Sequence, residues 1–353
     1  MSANYSSNET TTNDCSPLFS SDLKCDVILG FRRAVGIISI LCCIFIITVI
    51  ILFKKYKFFP QRLILYLSVS ALFQAIGYVM GDYHVARNAR EGQASFEGFC
   101  IFQGYWVLFF DWVSLLWVCC ITFNVFLTAV FSRTGERFEK FFFIVVFAIS
   151  LTISFIPFIK STYGPAGLWC WIRSTDNGEP YSPGIAMQFS VFYVPFWISC
   201  IVLLCMIATA YAFVRKNRHR YEGHDRSNDI QMKLWQEEIR PLMFFPLIYI
   251  AILIFPSINR LRYAFGYEAE DAPENFFFWF MHSVTLTLHG TVYALVFGCD
   301  RQTMWRMKWT EIKGAMMQWR MKPKVTEYSI GIKKTREASV YQTSSYRTKE
   351  DSI

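Results

Sequence analysis

Charged residues are scarce in this sequence of 353 residues, where Asp, Glu, Lys and Arg together make up only 18%. Typical soluble domains carry about 25%. The sequence also has no metal-ligand cluster, nucleotide-binding loop or nucleophile elbow, and no charged path crosses its apolar segments. We therefore expect no enzyme activity, no cofactor and no metal site. Apolar types reach 54% instead, and they collect in long runs.

Seven apolar runs organise the chain. Each is long enough to cross a hydrocarbon core of roughly 30 Å as a helix, which takes about 20 residues. Backbone amides in lipid must be satisfied within their own segment, so the runs are expected to be helical. They cover residues 34–53, 63–81, 98–131, 141–160, 186–214, 241–263 and 276–298. The sequence predicts an all-α integral membrane protein with a seven-transmembrane helix bundle.

Basic residues distinguish the two sides of this bundle. Loops rich in Lys and Arg stay in the cytosol, and the links 54–62, 132–140 and 215–240 are basic, whereas 264–275 is acidic. The pattern predicts a multi-pass plasma-membrane protein with an extracellular N-terminus and a cytosolic C-terminus. The net charge of +8 is divided among separate loops, so it indicates membrane topology and not nucleic-acid binding.

Four regions follow from this topology. Beyond the bundle, Trp and Met alternate with Lys and Arg in a pattern typical of a basic amphipathic helix on the inner leaflet. The tail after it is rich in Ser, Thr and Lys, a composition typical of disorder. The regions are an extracellular tail (1–33), the bundle (34–298), a cytosolic amphipathic juxtamembrane helix (300–322) and a disordered cytosolic tail (323–353).

Three positions are predicted to be modified. Asn4 and Asn8 begin glycosylation sequons on the extracellular side, although such sequons also arise by chance. Cys299 lies at the cytosolic end of the seventh run, beside the amphipathic helix, and is a candidate for palmitoylation.

Four of the eleven cysteines lie on the predicted extracellular side, where disulfides persist: Cys15, Cys25, Cys100 and Cys170. Cys100 opens the third run, and Cys170 lies in the loop between the fourth and fifth runs. We expect a Cys100–Cys170 disulfide that ties this loop across the outer end of the third helix. Cys15 and Cys25 then remain as a second pair, or stay unpaired or differently paired.

Asp111 is the clearest charge inside a run. It lies eleven residues after Cys100, about 16 Å further along a helix at 1.5 Å per residue. Charges inside a membrane are costly and face the bundle interior. Asp111 is therefore a ligand counter-charge, a protonation switch, or a structural partner of His289, Gln103 or a buried water.

Other residues near the outer end allow two interpretations each. Trp171, beside Cys170, either faces the mouth of the bundle or belongs to an interfacial aromatic belt. Arg260 and Arg262 end the sixth run, where they reach an anionic ligand or extend to lipid headgroups. His289, halfway along the seventh run, is a hydrogen-bonded core residue or a proton sensor.

Five stretches carry a resemblance to a known family: 60–78, 100–130, 169–172, 240–265 and 289–307. Within them, "LW", "CI" and "FN" at 116–124 and the Pro246…Asn259-Arg260 arrangement are distinctive. The sequence resembles G-protein-coupled receptors of the cyclic-AMP-receptor-like family, which are related to the secretin-like receptors. The resemblance implies a receptor that senses an extracellular ligand and activates a heterotrimeric G protein.

Within this interpretation we expect an extracellular ligand, small and anionic, to contact Asp111, Trp171, Arg260, Arg262 and His289. The sixth helix is expected to swing at its cytosolic end around Pro246. The predicted G-protein contact surface consists of Arg133, Arg215, Lys216, Lys233 and Arg240. Kinases or arrestin-type regulators are expected to use the tail, and membrane lipid to contact the amphipathic helix.

The sequence departs from rhodopsin-like receptors and from receptors that bind retinal. It lacks an Asp/Glu-Arg-Tyr motif after the third run and an Asn-Pro-x-x-Tyr motif in the seventh, and 276–298 contains no lysine for a retinal Schiff base.

The alternative functions are a seven-span transporter or channel, and a non-signalling scaffold that uses its tail. A transporter would need polar residues along several runs and an internal repeat, and the sequence shows neither.

Overall fold

The computed structural model describes residues 22–81, 83–176, 179–221, 240–266, 273–298 and 309–320. Several predicted features lie outside these ranges, namely Asn4, Asn8, Cys15, Lys233, Cys299 and residues 323–353. The glycosylation, palmitoylation and tail predictions therefore stay predictions.

Helices dominate the described chain. In order they are α1 (Asp22–Leu52), α2 (Phe59–Met80), α3 (Tyr83–Arg90), α4 (Ala94–Phe131), α5 (Glu139–Ile159), α6 (Ser182–Gln188), α7 (Val194–Tyr221), α8 (Phe244–Ala264), α9 (Pro273–Thr287) and α10 (His289–Gly298). Six helical segments are long and apolar enough to cross a membrane, and α9 with α10 form a bent seventh. The predicted seven-helix bundle is confirmed.

Several helices extend beyond the apolar runs. The first begins at Asp22, well before residue 34, so part of the predicted extracellular tail continues the first spanning helix. In the fifth span, a π-helical segment, Phe189–Tyr193, connects α6 to α7. Such one-turn π segments are frequent at functional sites.

Pro246 does not occupy the position expected of a hinge. It is the third residue of α8, which follows the 3₁₀ turn Arg240–Met243. Backbone N–H groups in the first turn have no intrahelical partner, so Pro246 removes no helical hydrogen bond. Pro256, in contrast, lies in the helix interior, where proline interrupts the bonding.

The seventh span is bent, and not straight as the continuous apolar run suggested. Its two halves meet at Leu288 at an angle of 54°. Just before the break, Thr285 donates to Met281 O over 2.7 Å and Thr287 to Val284 O over 2.9 Å. Such bonds from hydroxyls to preceding carbonyls bend helices. His289 consequently opens α10 at the break.

A buried antiparallel hairpin follows α5. Its strands are β1 (Tyr163–Pro165) and β2 (Cys170–Ile172), which pack against α4. Gly167 lies in the turn with a φ of +104°, a backbone conformation that favours glycine. Side chains from 168 to 172 are all buried. We call residues 163–172 the plug hairpin. A shorter pair, β3 (Thr175–Asp176) with β4 (Glu179–Pro180), follows it.

A separate unit begins at Arg306, and within it the structure describes α11 (Trp309–Arg320). This helix lies inside the predicted amphipathic segment 300–322. The full extent of that segment and its position on the membrane stay predictions.

Candidate functional site

The predicted disulfide is present between Cys100 and Cys170. It joins the first turns of α4 to β2, as expected from the position of the two cysteines in the chain. Cys25 is buried and disulfide-bonded; its pairing with Cys15 stays a prediction. We call the part of the bundle around Cys100–Cys170 the disulfide end.

Side chains from several helices hold the plug hairpin in the bundle. Gln103 of α4 accepts a bond from Cys170 N over 3.3 Å and donates to Gly77 O over 3.0 Å. Gln188 of α6 donates to Ile172 O over 2.8 Å. These bonds satisfy backbone groups that would otherwise be buried without partners. The hairpin is therefore an integral part of the core at the disulfide end.

Arg260 lies in a cage of aromatic rings beneath the plug hairpin. Its guanidinium carbon is 5.6 Å from the ring centroid of Trp169, 5.7 Å from that of Trp171 and 5.5 Å from that of Trp279. Its Nη2 donates to Ala166 O over 2.7 Å. The side chain is only 1% exposed. The structure thus brings together two predicted site residues, Trp171 and Arg260.

Arg32 of α1 lies over Trp169, one of the rings of this cage. It was not among the predicted site residues. It donates from Nη2 to Gly81 O over 2.8 Å and from Nη1 to Leu168 O over 3.4 Å. Its guanidinium carbon is 5.7 Å from the Trp169 centroid, and it is also 1% exposed. Its position in the sequence could have indicated a special role, because Arg32 lies on the predicted extracellular side, where basic residues are few.

Arg262 does not join the cage. Its Nη1 lies 3.7 Å from Glu274 Oε2, and its guanidinium carbon is 4.5 Å from the ring centroid of Phe278. Both partners belong to α9. Arg262 therefore connects α8 to α9 away from the tryptophan rings.

Asp111 accepts hydrogen bonds from two residues of α2. Gln74 Nε2 donates to Oδ1 over 2.5 Å and the Tyr78 hydroxyl donates to Oδ2 over 3.2 Å. The carboxyl group is 3% exposed. The partners expected from sequence, His289 and Gln103, do not bond to Asp111 in the part of the chain that the structure describes. The position of Asp111 inside the bundle agrees with the expectation.

A chain of contacts runs from the plug hairpin to the bend in the seventh span. The rings of Trp169 and Tyr78 are 6.5 Å apart, and Tyr78 donates to Asp111. The Tyr249 hydroxyl of α8 donates to Asp111 O over 3.2 Å, and its ring lies 5.3 Å from that of His289. We call these five residues the contact chain. It joins three of the spanning helices to the hairpin and to the break before α10.

At the opposite end of the bundle, Arg62 of α2 binds two carboxylates. It pairs with Glu139 through two bonds of 2.8 Å and with Glu136 Oε1 through one of 2.8 Å. The Tyr66 hydroxyl also donates to Glu139, over 2.7 Å. This network fixes α2 to the start of α5 and to the 3₁₀ turn Gly135–Phe138.

The predicted G-protein contact residues are partly described. Arg133 is exposed just after α4, and Arg215 and Lys216 are exposed near the end of α7. Arg240 begins the 3₁₀ turn before α8. Their grouping into one contact surface stays a prediction.

We expect a double-mutant cycle on Arg62→Ala and Glu139→Ala to give a coupling energy of about 1–2 kcal/mol, because hydrogen bonds between charged groups exceed neutral ones. Thermal or chemical unfolding of the purified protein measures it. The matched control is the exposed pair Arg87–Glu91, whose Nε and Oε1 are 2.8 Å apart within one helical turn. Its coupling should be at most about 0.5 kcal/mol. Equal coupling for both pairs would contradict the structural role of the Arg62 network.

Seven spanning segments, with a disulfide-tethered hairpin buried at one end, define a multi-pass membrane protein built on a seven-helix bundle. Residues 24–323 match the family described as slime mold cyclic AMP receptor, and the chain belongs to that family. The match covers most of the sequence and overlaps every spanning helix that the structure describes.

Individual relatives agree with this assignment. G-protein coupled receptor 1 of Arabidopsis thaliana is 26% identical over 239 residues, which are 67% of this chain and 68% of that protein. Cyclic AMP receptor 4 of Dictyostelium discoideum is 25% identical over 266 residues, 73% and 54% of the two chains. Cyclic AMP receptor-like protein A of the same organism is 31% identical over 184 residues, 51% and 44%. The chain thus spans about two thirds of the plant protein and about half of the two Dictyostelium proteins.

Proposed function

We propose that this receptor resides in the plasma membrane with its disulfide end outside, and that a ligand bound beneath the plug hairpin activates a heterotrimeric G protein at the opposite end. The names of the Dictyostelium relatives make cyclic AMP the first ligand to test. Trp171 and Arg260 are the proposed ligand contacts within the cage. Asp111 and His289 act below them, and Arg262 acts at the rim beside α9.

The contact chain is the observation that carries this proposal. A ligand that shifts Trp169 also changes the packing of Tyr78, whose hydroxyl bonds to Asp111. Asp111 in turn is bonded to Tyr249 of α8, which packs against His289 at the start of α10. Differential affinity for two arrangements of this chain would shift the population of the receptor.

The opposite end supplies basic groups for the G protein. The proposed surface comprises Arg133, Arg215, Lys216, Lys233 and Arg240. Complementary charge speeds association and suppresses wrong partners. We further propose that residues 300–322 contact membrane lipid, that kinases or arrestin-type regulators act on residues 323–353, and that Asn4, Asn8 and Cys299 are modified.

Nucleotide exchange on a co-expressed G protein tests the function. We expect cyclic AMP or another ligand from a screen to stimulate exchange by the wild-type receptor. Arg215→Ala with Lys216→Ala should reduce the stimulated rate about tenfold while surface expression is retained, because two rim charges lose their attraction to the partner. Lys160→Ala is the matched control, since Lys160 is an exposed cation beyond the end of α5, on the disulfide side.

Two results would contradict the proposal. Solute or ion flux without nucleotide exchange would instead support a transporter. Equal loss of exchange in Lys160→Ala and in the double variant would remove Arg215 and Lys216 from the contact surface.

A further inference from the structure

Two arginine side chains at the disulfide end are buried, and neither has a compensating carboxylate among the residues that the structure describes. Arg32 and Arg260 are each 1% exposed, and neither forms an ion pair within the ranges that the structure describes. Their cations are stabilised by backbone carbonyls and by the face of Trp169. A buried charge without a counter-ion is strongly destabilising. This cost points to a partner of opposite charge.

The side chains around these cations offer more hydrogen-bond donors than acceptors. Arginine and tryptophan side chains donate hydrogen bonds and accept none. Among the described residues, the buried nitrogens without a bonding partner include five in this cluster: Arg32 Nε, Arg260 Nε, Arg260 Nη1, Trp171 Nε1 and Trp279 Nε1. A ligand that satisfies them must present several acceptor oxygens and negative charge. A phosphate group offers more such oxygens than a carboxylate does.

We infer that Arg32 and Arg260, which both lie over the Trp169 ring, form a binding site for the phosphate group of an extracellular molecule. The inference rests on the proposed receptor function and adds α1 to the ligand site. Guanidinium groups bind phosphate through parallel charge-assisted bonds. The phosphate oxygens would take donors that now bind Leu168 O and Ala166 O. Phosphate binding therefore releases the turn of the plug hairpin from α1 and α8.

Thermal unfolding in phosphatidylcholine nanodiscs tests the site with inorganic phosphate as the probe. A ligand that binds only the folded state raises Tm with its concentration. We expect phosphate to raise the wild-type Tm relative to chloride at matched ionic strength, and neutral trimethyl phosphate to have no effect. Arg32→Gln and Arg260→Gln should each weaken the apparent Kd for phosphate at least about tenfold, because each removes a charged donor pair.

Arg33→Gln is the matched control, because it removes a neighbouring cation of α1 that is exposed. It should keep the wild-type response. The phosphate-dependent shift is compared within each variant, so a change in baseline stability does not obscure it. Arg32→Lys and Arg260→Lys keep the positive charge but lose the planar guanidinium group with its parallel donors. We expect these variants to bind phosphate with intermediate affinity. Equal shifts in the wild type and in both Gln variants would overturn the site.

A lipid headgroup is another source of the same chemistry. Nanodiscs that contain phosphatidylserine distinguish the two sources: if this lipid raises Tm and abolishes the response to added phosphate, the extracellular source is overturned. Nucleotide exchange is measured separately. If a ligand still stimulates exchange in both Gln variants, the receptor function stands and the phosphate site is overturned. If phosphate binds but no ligand stimulates exchange, the phosphate site stands and the receptor function is overturned.

Discussion

Replacing Asp111 by alanine should destabilise the bundle by about 2–4 kcal/mol. Two buried donors, Gln74 Nε2 and the Tyr78 hydroxyl, would lose their acceptor, and each unsatisfied buried donor costs about 1–3 kcal/mol. The substitution also breaks the contact chain at its centre. We therefore expect stimulated nucleotide exchange to fall to the basal level, even under conditions where the variant remains folded. Thermal unfolding and the exchange assay measure the two effects.

The conservative variant separates shape from charge at this position. Asp111→Asn keeps one carbonyl acceptor of nearly the same size, and its NH2 group can donate to the Tyr78 hydroxyl. It should therefore cost less than Asp111→Ala, about 1–2 kcal/mol. Ser114→Ala is the matched control on α4, since it removes a buried hydroxyl that donates to Ser70 Oγ over 3.1 Å. Its cost should be about 1 kcal/mol. An Asp111→Ala variant as stable as Ser114→Ala would contradict the assigned role of the carboxyl group.

Replacing Gly290 by leucine should prevent accumulation of the folded protein. A Cβ at this position would lie 2.6 Å from Ser39 O and would also overlap Cys43 Sγ. Ser39 O is a backbone atom of α1, so relief requires a shift of the whole helix. The Gly290 N–H also donates to Ser39 Oγ over 2.9 Å. Gly290→Ala should already cost about 1–3 kcal/mol, the usual range for overpacking.

Gly30 provides the comparison in the same pair of helices. It lies on the exposed face of α1, and a Cβ there meets no atom within 4 Å. Gly30→Ala should be neutral or stabilising by up to about 1 kcal/mol, because alanine favours the helix. Surface expression and Tm in detergent measure both substitutions. Equal behaviour at positions 30 and 290 would contradict the close approach of α1 and α10.

Much of the fold could be predicted because lipid imposes simple requirements on the sequence. A run such as 98–131 can satisfy its backbone only as a helix, and α4 occupies Ala94–Phe131. The disulfide could be predicted because few cysteines lie outside the apolar runs. The bend at Leu288 could not be predicted, since hydroxyl-to-carbonyl bonds by Thr285 and Thr287 leave no trace in hydropathy.

The candidate site was harder to predict than the helices. Arg260 and Trp171 were expected near the mouth, and they lie in one aromatic cage. Arg32 was missed because it precedes the first apolar run and was placed in the tail. Nothing in the local sequence shows that a turn 136 residues away inserts its carbonyl against this side chain. Such contacts depend on tertiary packing and not on periodicity.

The plug hairpin has a consequence for the timing of a response. Both buried guanidinium groups bond to carbonyls of its turn, so if the proposed phosphate site is the ligand site, a messenger molecule would bind only after the turn around Gly167 moves aside. Above a certain concentration, adding more of the messenger no longer speeds its entry, because the opening step sets the pace. Pulses shorter than this waiting time would pass without being registered, and sustained gradients would be favoured over brief noise.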